Sequence, residues 1–336
     1  MAESDAKPKA DPARTRVMVE WKHDSPLMAC RFDPTGRFLL ASAQDNSLQR
    51  WELEGGTKTG LVGHQSWVRA FDFIPDGSAL VAGDYHGKLL WWPYAEAAPK
   101  PLRSLDAHDG WIRAVRVSPD GRLIATCGND HLVKLWDAVE GKLVQTLMGH
   151  TRHVYNVAFH PNGKELVSGD LLGVIKHWDL DKGSVVRELD AKPLHKYDET
   201  FRADIGGIRS FAFSPDARLL AAGGITDVTN AFAGIGKPLI LLFDWEAGKV
   251  RLQLRPKENF QGVVWGIVYH PDNFLAAAGA GAGGALWFWK PDQAQDIHML
   301  KLPNNSRDLA LHRDGLRLAV PFYDGSIKIY TMAATS

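Results

Sequence analysis

The sequence predicts an all-β fold, a seven-bladed β-propeller built from four-stranded antiparallel blades. Three observations predict it. A short turn phrase recurs seven times, an aromatic residue follows each copy at a nearly fixed distance, and the period is near 42 residues. Repeats of that length, each holding several short strands, build radial rings of blades.

The turn phrase reads DPTG from Asp33, IPDG from Ile74, SPDG from Ser118, HPNG from His160, SPDA from Ser214, HPDN from His270 and HRDG from His312. The aromatics that follow are Trp51, Trp92, Trp136, Trp178, Phe243, Trp289 and Tyr330. Measured from the proline position (Arg313 in the last copy), the spacing is 17 residues in five copies, 18 in the sixth and 28 in the fifth. The third copy shows what one unit is made of. Residues 111–117 alternate as a first strand, and Ser118-Pro119-Asp120-Gly121 turns the chain, proline fixing φ and glycine accepting a positive φ. Strands follow at 123–127, 132–136 and 143–148, divided by Asn129-Asp130 and by the turn 138–142. Such a sheet carries apolar side chains on both faces, so it is stable only between neighbours, and the array must close on itself.

The phrase AHDGWIRAVRVSPDGRLIATCGNDHLVKLWD of the third copy resembles the WD40-repeat family, and the likeness extends over about residues 15–331. The resemblance implies a propeller spanning 14–336, and the charged, proline-bearing residues 1–13 ahead of it read as a disordered tail. It also implies how the ring closes. The last copy ends its third strand at Tyr330, and TRVMVEW from Thr15 reads as the missing fourth strand. Closure of this kind removes an exposed sheet edge.

Composition narrows the function. Lys plus Arg equals Asp plus Glu at 39 each, which disfavours a globally basic nucleic-acid binder. No apolar run approaches a membrane span, and the N-terminus has no apolar signal core. The cytoplasm is the simplest compartment. Two cysteines, Cys30 and Cys127, form no CxxC and read as buried thiols.

Several groups look chemical. His108, Thr126, Asp130 and Trp136 contain a His-Asp-hydroxyl set that could suggest a nucleophilic triad. The threonine lies mid-strand with no nucleophile elbow, so the expectation is a structural hydrogen-bond network and no catalytic residue. The resemblance points the same way, because such a set often ties a blade of the family together. Other copies depart from it: the fourth has His150, Ser168 and Trp178 with Leu172 in the aspartate place, the second has His64 and Trp92 with Ala82 and His86, and the first has Ala41 in the hydroxyl place. His150 and His153 are not spaced as metal ligands on a rigid face, and no metal or cofactor is expected. GAGAGG from Gly279 lacks the GK[ST] of a phosphate loop and reads as a β-turn.

Two segments exceed the repeat, 191–206 (AKPLHKYDETFRADIG) and a loop at 223–238 (GGITDVTNAFAGIGKP). Both rise from one rim at the fifth blade. That rim also carries the residues that begin the first strands: Trp67, Arg69, Trp111, Arg113, His153, Tyr155, Arg209, Trp265 and Arg307. The resemblance implies that they line the channel mouth and bind a protein or peptide partner. Arginine and tryptophan are enriched at binding hot spots, and an acidic or phosphorylated segment suits guanidinium groups. The alternative is that the arginines pair with turn acids such as Asp84, Asp130 and Asp170. Rival functions are a propeller hydrolase or lyase with its site at the mouth, and a nucleic-acid adaptor. The leading expectation is a non-catalytic scaffold: a monomeric propeller, able to sit in a larger complex, with no membrane contact.

Overall fold

The computed structural model describes residues 9–230 and 235–334. Every strand pairs antiparallel, and the strands form seven four-stranded sheets and one two-stranded sheet. Blades one to six span 27–62, 68–106, 112–147, 154–190, 210–254 and 262–302, each with its strands in chain order. The seventh takes Ala310–Leu311, Arg317–Pro321 and Ser326–Thr331 from the end of the chain and Arg16–Lys22 from its start. Val17 faces Tyr330 and Trp21 faces Ile327, so the expected closing strand is in place. Of the expected tail, residues 1–8 lie outside the described residues. From Ala10 the chain is in contact with the seventh blade, Ala10 bridging Ala333 and the Asp11 N–H donating to the Met332 carbonyl at 2.9 Å.

The turn phrase positions the sheets. Its fourth residue takes a positive φ in all seven copies, from 59° to 79°. Glycine fills five of these places, while Ala217 and Asn273 hold the other two at 59° and 60°. The core is divided as the repeat demands. Each interface between neighbouring blades holds one apolar cluster, from Phe38, Leu40, Phe71 and Trp92 between blades one and two round to Leu39, Trp51, Ala319 and Ile329 between seven and one. Cys30 and Cys127 are free thiols inside this core.

The blade-five insertions are more ordered than expected. The segment 191–206 contains a hairpin, His195–Asp198 paired with Ala203–Gly206. The 223–238 segment is not a loop: strands two and three continue through it as Leu219–Asn230 and Ile235–Asp244, paired at Gly224 with Leu239 and at Thr226 with Lys237. The two hairpins lean on each other through the Lys196 ammonium, which donates to the Val228 carbonyl at 2.6 Å. The glycine-rich stretch from Gly279 is paired strand up to a tight turn at Ala282, where Gly281 faces Gly283.

Candidate interface at the channel mouth

The first strands and the residues just before them line the central channel, and in blades one, two, three, four and six the first strand has a bulge near its start. Eight of the nine expected contact residues surround a single cavity of about 260 Å³: Trp67, Arg69, Trp111, Arg113, Tyr155, Arg209, Trp265 and Arg307. His153 stands beside it, its ring 5.5 Å from that of His131. Tyr85 also lines the cavity, and the repeat reading missed it. Tyr85 follows the second strand of blade two directly and Tyr323 follows that of blade seven by two residues, each donating its N–H to a carbonyl ahead of the first strand at 3.1 Å, so the signal was a second register position, not the first-strand one.

Arginines and aromatics alternate round the opening. The Arg113 guanidinium lies 4.6 Å from the Trp111 ring centre and 4.7 Å from that of Tyr155. Arg209 lies 4.3 Å from Tyr155 and 5.0 Å from Trp265. Arg307 continues the series, 5.7 Å from Trp265 and 5.5 Å from Tyr323, and Arg69 also approaches Trp265 at 5.9 Å. On the other side Tyr85 stacks on Trp111 at 3.9 Å and 2°, with Trp67 at 5.9 Å. Each guanidinium therefore has a π face to hold it in position. Trp67 and Trp111 remain 42% and 40% exposed, which leaves apolar area open to a partner.

The alternative, that these arginines pair with the turn acids Asp84, Asp130 and Asp170, does not hold. Asp84, Asp130 and Asp170 are taken by His64, His108 and His150, at 2.9, 2.9 and 2.8 Å. Arg113 instead donates to the Asn129 side-chain oxygen at 2.7 Å. Burial lowers the pKa of Arg69, Arg113 and Arg209, and their mutual repulsion adds to the effect. Deeper in the channel Arg31 is neutralised by Asp308 at 2.7 Å. Among the described residues Arg116 reaches only its neighbour's carbonyl, that of Val115, and burial followed by repulsion from Arg31 lowers it to about 10.

The same contacts correct the reading of the internal network. In blades two and four the carboxylate comes from the last residue of the second strand, Asp84 or Asp170, two positions before His86 or Leu172. Each also accepts two turn N–H groups, from His86 and Lys88 or from Leu172 and Val174. In blade three the expected set is joined throughout: His108 meets Asp130 and Thr126, and Trp136 donates to Thr126 at 2.8 Å. Its hydroxyl is occupied on both sides and buried, which is the arrangement of a structural tie.

Among the described residues no helix is long and apolar enough to cross a membrane. The family model described as WD domain, G-beta repeat matches residues 16–52, 56–92, 99–137 and 141–179. Each match starts in an outer strand and runs into the next blade, so the sequence repeat is offset by one strand from the structural blade. Similar proteins include a chromatin assembly factor 1 subunit FAS2 homolog of Oryza sativa subsp. japonica, 25% identical over 43% of this chain and 31% of its own length. The nuclear distribution protein PAC1 of Arthroderma otae is 28% identical over 41% of this chain and 36% of its own. The nuclear distribution protein nudF of Aspergillus niger is 28% identical over 45% and 38%. The chain thus spans about a third of the length of these relatives.

Proposed function

Since the chain belongs to the WD40-repeat family, we propose that it is a non-catalytic scaffold that holds a protein or peptide partner on its channel mouth. The observation that carries this reading is the alternation of guanidinium and aromatic groups round the opening. It offers apolar area at Trp67 and Trp111 beside cations that lack a carboxylate of their own. The partner segment that suits it is acidic or phosphorylated, with an aromatic or aliphatic anchor. The hairpin His195–Gly206 ends three residues before Arg209 in the chain and carries Tyr197 and Phe201 exposed, so it is a second surface that a partner at the mouth could reach. One relative is by name a subunit of an assembly factor, which supports a role inside a complex.

The test is affinity capture with mass spectrometry, comparing the full chain with Arg69→Glu/Arg113→Glu and with a chain whose hairpins are cut to their bases. A partner held at the mouth is expected to be lost from the charge-reversed chain, binding at least ten-fold weaker, while the melting temperature stays near that of the parent. Capture of the same proteins by both would move the interface elsewhere. Loss that tracks a collapse in melting temperature would make the two arginines structural.

A further inference from the structure

The mouth narrows onto four guanidinium groups, and among the described residues none of them forms an ion pair. Arg69, Arg113, Arg209 and Arg307 belong to four different blades, yet they share two rings. Three approach Trp265 within 5.9 Å, and Arg113 and Arg209 both approach Tyr155 within 4.7 Å. The acids below them are committed. Asp308 is held by Arg31 and by the Cys30 N–H, and Asp72 accepts the Val117 N–H at 2.9 Å. Arg209 Nε and the Asn156 side-chain oxygen are buried with no hydrogen-bond partner. Like charges gathered out of water repel one another and strengthen the attraction for a counter-ion.

The space suits a compact anion. The chamber of about 260 Å³ has room for one tetrahedral oxyanion and a few waters. The constriction beneath it, about 20 Å³, admits little more than a water. A phosphate group brings two charges and three or more acceptor oxygens to guanidinium forks built to meet them, where a single carboxylate brings one charge and two oxygens.

We propose that the floor of the mouth is a binding site for one phosphate dianion, free or as a monoester, held by Arg69, Arg113, Arg209 and Arg307. The site rests on reading the mouth as the binding face, but it needs no protein partner to exist.

The experiment is calorimetric titration and thermal melting of the full chain with inorganic phosphate, at an ionic strength held constant with chloride. One site per chain is expected, with a melting temperature that rises as the site fills. Arg209→Gln and Arg307→Gln lie on different blades, so one can report if the other fails to fold. Each is expected to weaken phosphate at least ten-fold without lowering the melting temperature in phosphate-free buffer. A phosphoserine peptide and its unphosphorylated twin separate the two sources. Competition between the phosphopeptide and inorganic phosphate supports a monoester in this site, and phosphate binding without peptide binding supports the free anion. Phosphate that acts no differently from chloride, or variants that keep the parent affinity, would overturn the proposal. If phosphate fails while charge reversal at Arg69 and Arg113 still releases a captured protein, the scaffold reading stands without this site. The converse leaves the phosphate site without the scaffold.

Discussion

A single hydroxyl ties blade three together. Thr126 Oγ1 lies 2.7 Å from His108 Nε2 and 2.8 Å from Trp136 Nε1, and Ser168 does the same for His150 and Trp178 in blade four. In blade two the equivalent residue is Ala82, and both His64 Nε2 and Trp92 Nε1 are left buried without a partner. The spacing of the slot is kept, with ring centres 6.2 Å apart for His64 and Trp92 against 6.4 Å for His150 and Trp178, while the angle between the rings is 35° instead of 59°. A serine there would satisfy two groups that folding now leaves bare. Ala82→Ser is therefore expected to stabilise the protein by about 1–2 kcal/mol in chemical unfolding, the scale of a buried hydrogen bond that rescues a bare donor. A loss of stability would mean that the slot does not admit the hydroxyl. The reverse experiment is Trp136→Ala, which empties a buried indole site and should cost about 3–5 kcal/mol. Partner binding by the folded fraction should survive it, because Trp136 lies away from the mouth.

At the scale of strands and turns, the closing strand does what a blade cannot do alone. Arg16–Lys22 supplies the outer edge of blade seven, and Trp21 stacks parallel to Trp51 of blade one at 6.1 Å. A chain lacking residues 1–22 should lose its cooperative melting transition and expose an unpaired edge. A synthetic peptide of residues 14–22 should restore the transition, and a truncated chain that melts like the parent would refute the closure. This strand was legible because the turn phrase and its following aromatic recur in all seven copies and leave one strand short at Tyr330. Other features were hidden for physical reasons. A carboxylate can reach the same histidine from the end of strand two or from the turn beyond it, so a fixed position for Asp130 hid Asp84 and Asp170. Gly223, Gly224, Gly236 and Pro238 read as loop, yet strand pairing persists across them, with Ile225 and Val228 buried beneath. At the mouth the strand-one register gave eight of the cavity residues, while Tyr85 sits at a second register position, after strand two, which a reading of the first strands alone does not reach.

Across the whole molecule the formal net charge is zero, but its titrating groups are not neutral in their effect on stability. Burial lowers the pKa of His108, His153 and His177. Burial also works to raise Asp45, Asp130 and Asp314, but hydrogen bonds from their neighbours, histidines among them, outweigh it and leave all three below the ordinary carboxylate range. Both kinds of group are depressed, so at acid pH the unfolded chain binds more protons than the folded one, and stability must fall as pH falls. The histidine contribution is complete above the unfolded value of about 6.5 and drains away as pH drops toward the lowered folded values. The carboxylate contribution is complete above about 4 and is lost below that. The melting temperature is therefore expected to decline in two stages, first between about pH 7 and 5 and again below about pH 4. His108→Gln keeps a side-chain amide in the network but removes one titrating group, so it should shallow the first stage, and because His108 also helps to hold Asp130 low it should shallow the second slightly. A melting temperature flat from pH 8 to pH 5 would show that these histidines titrate alike in the folded and unfolded chains.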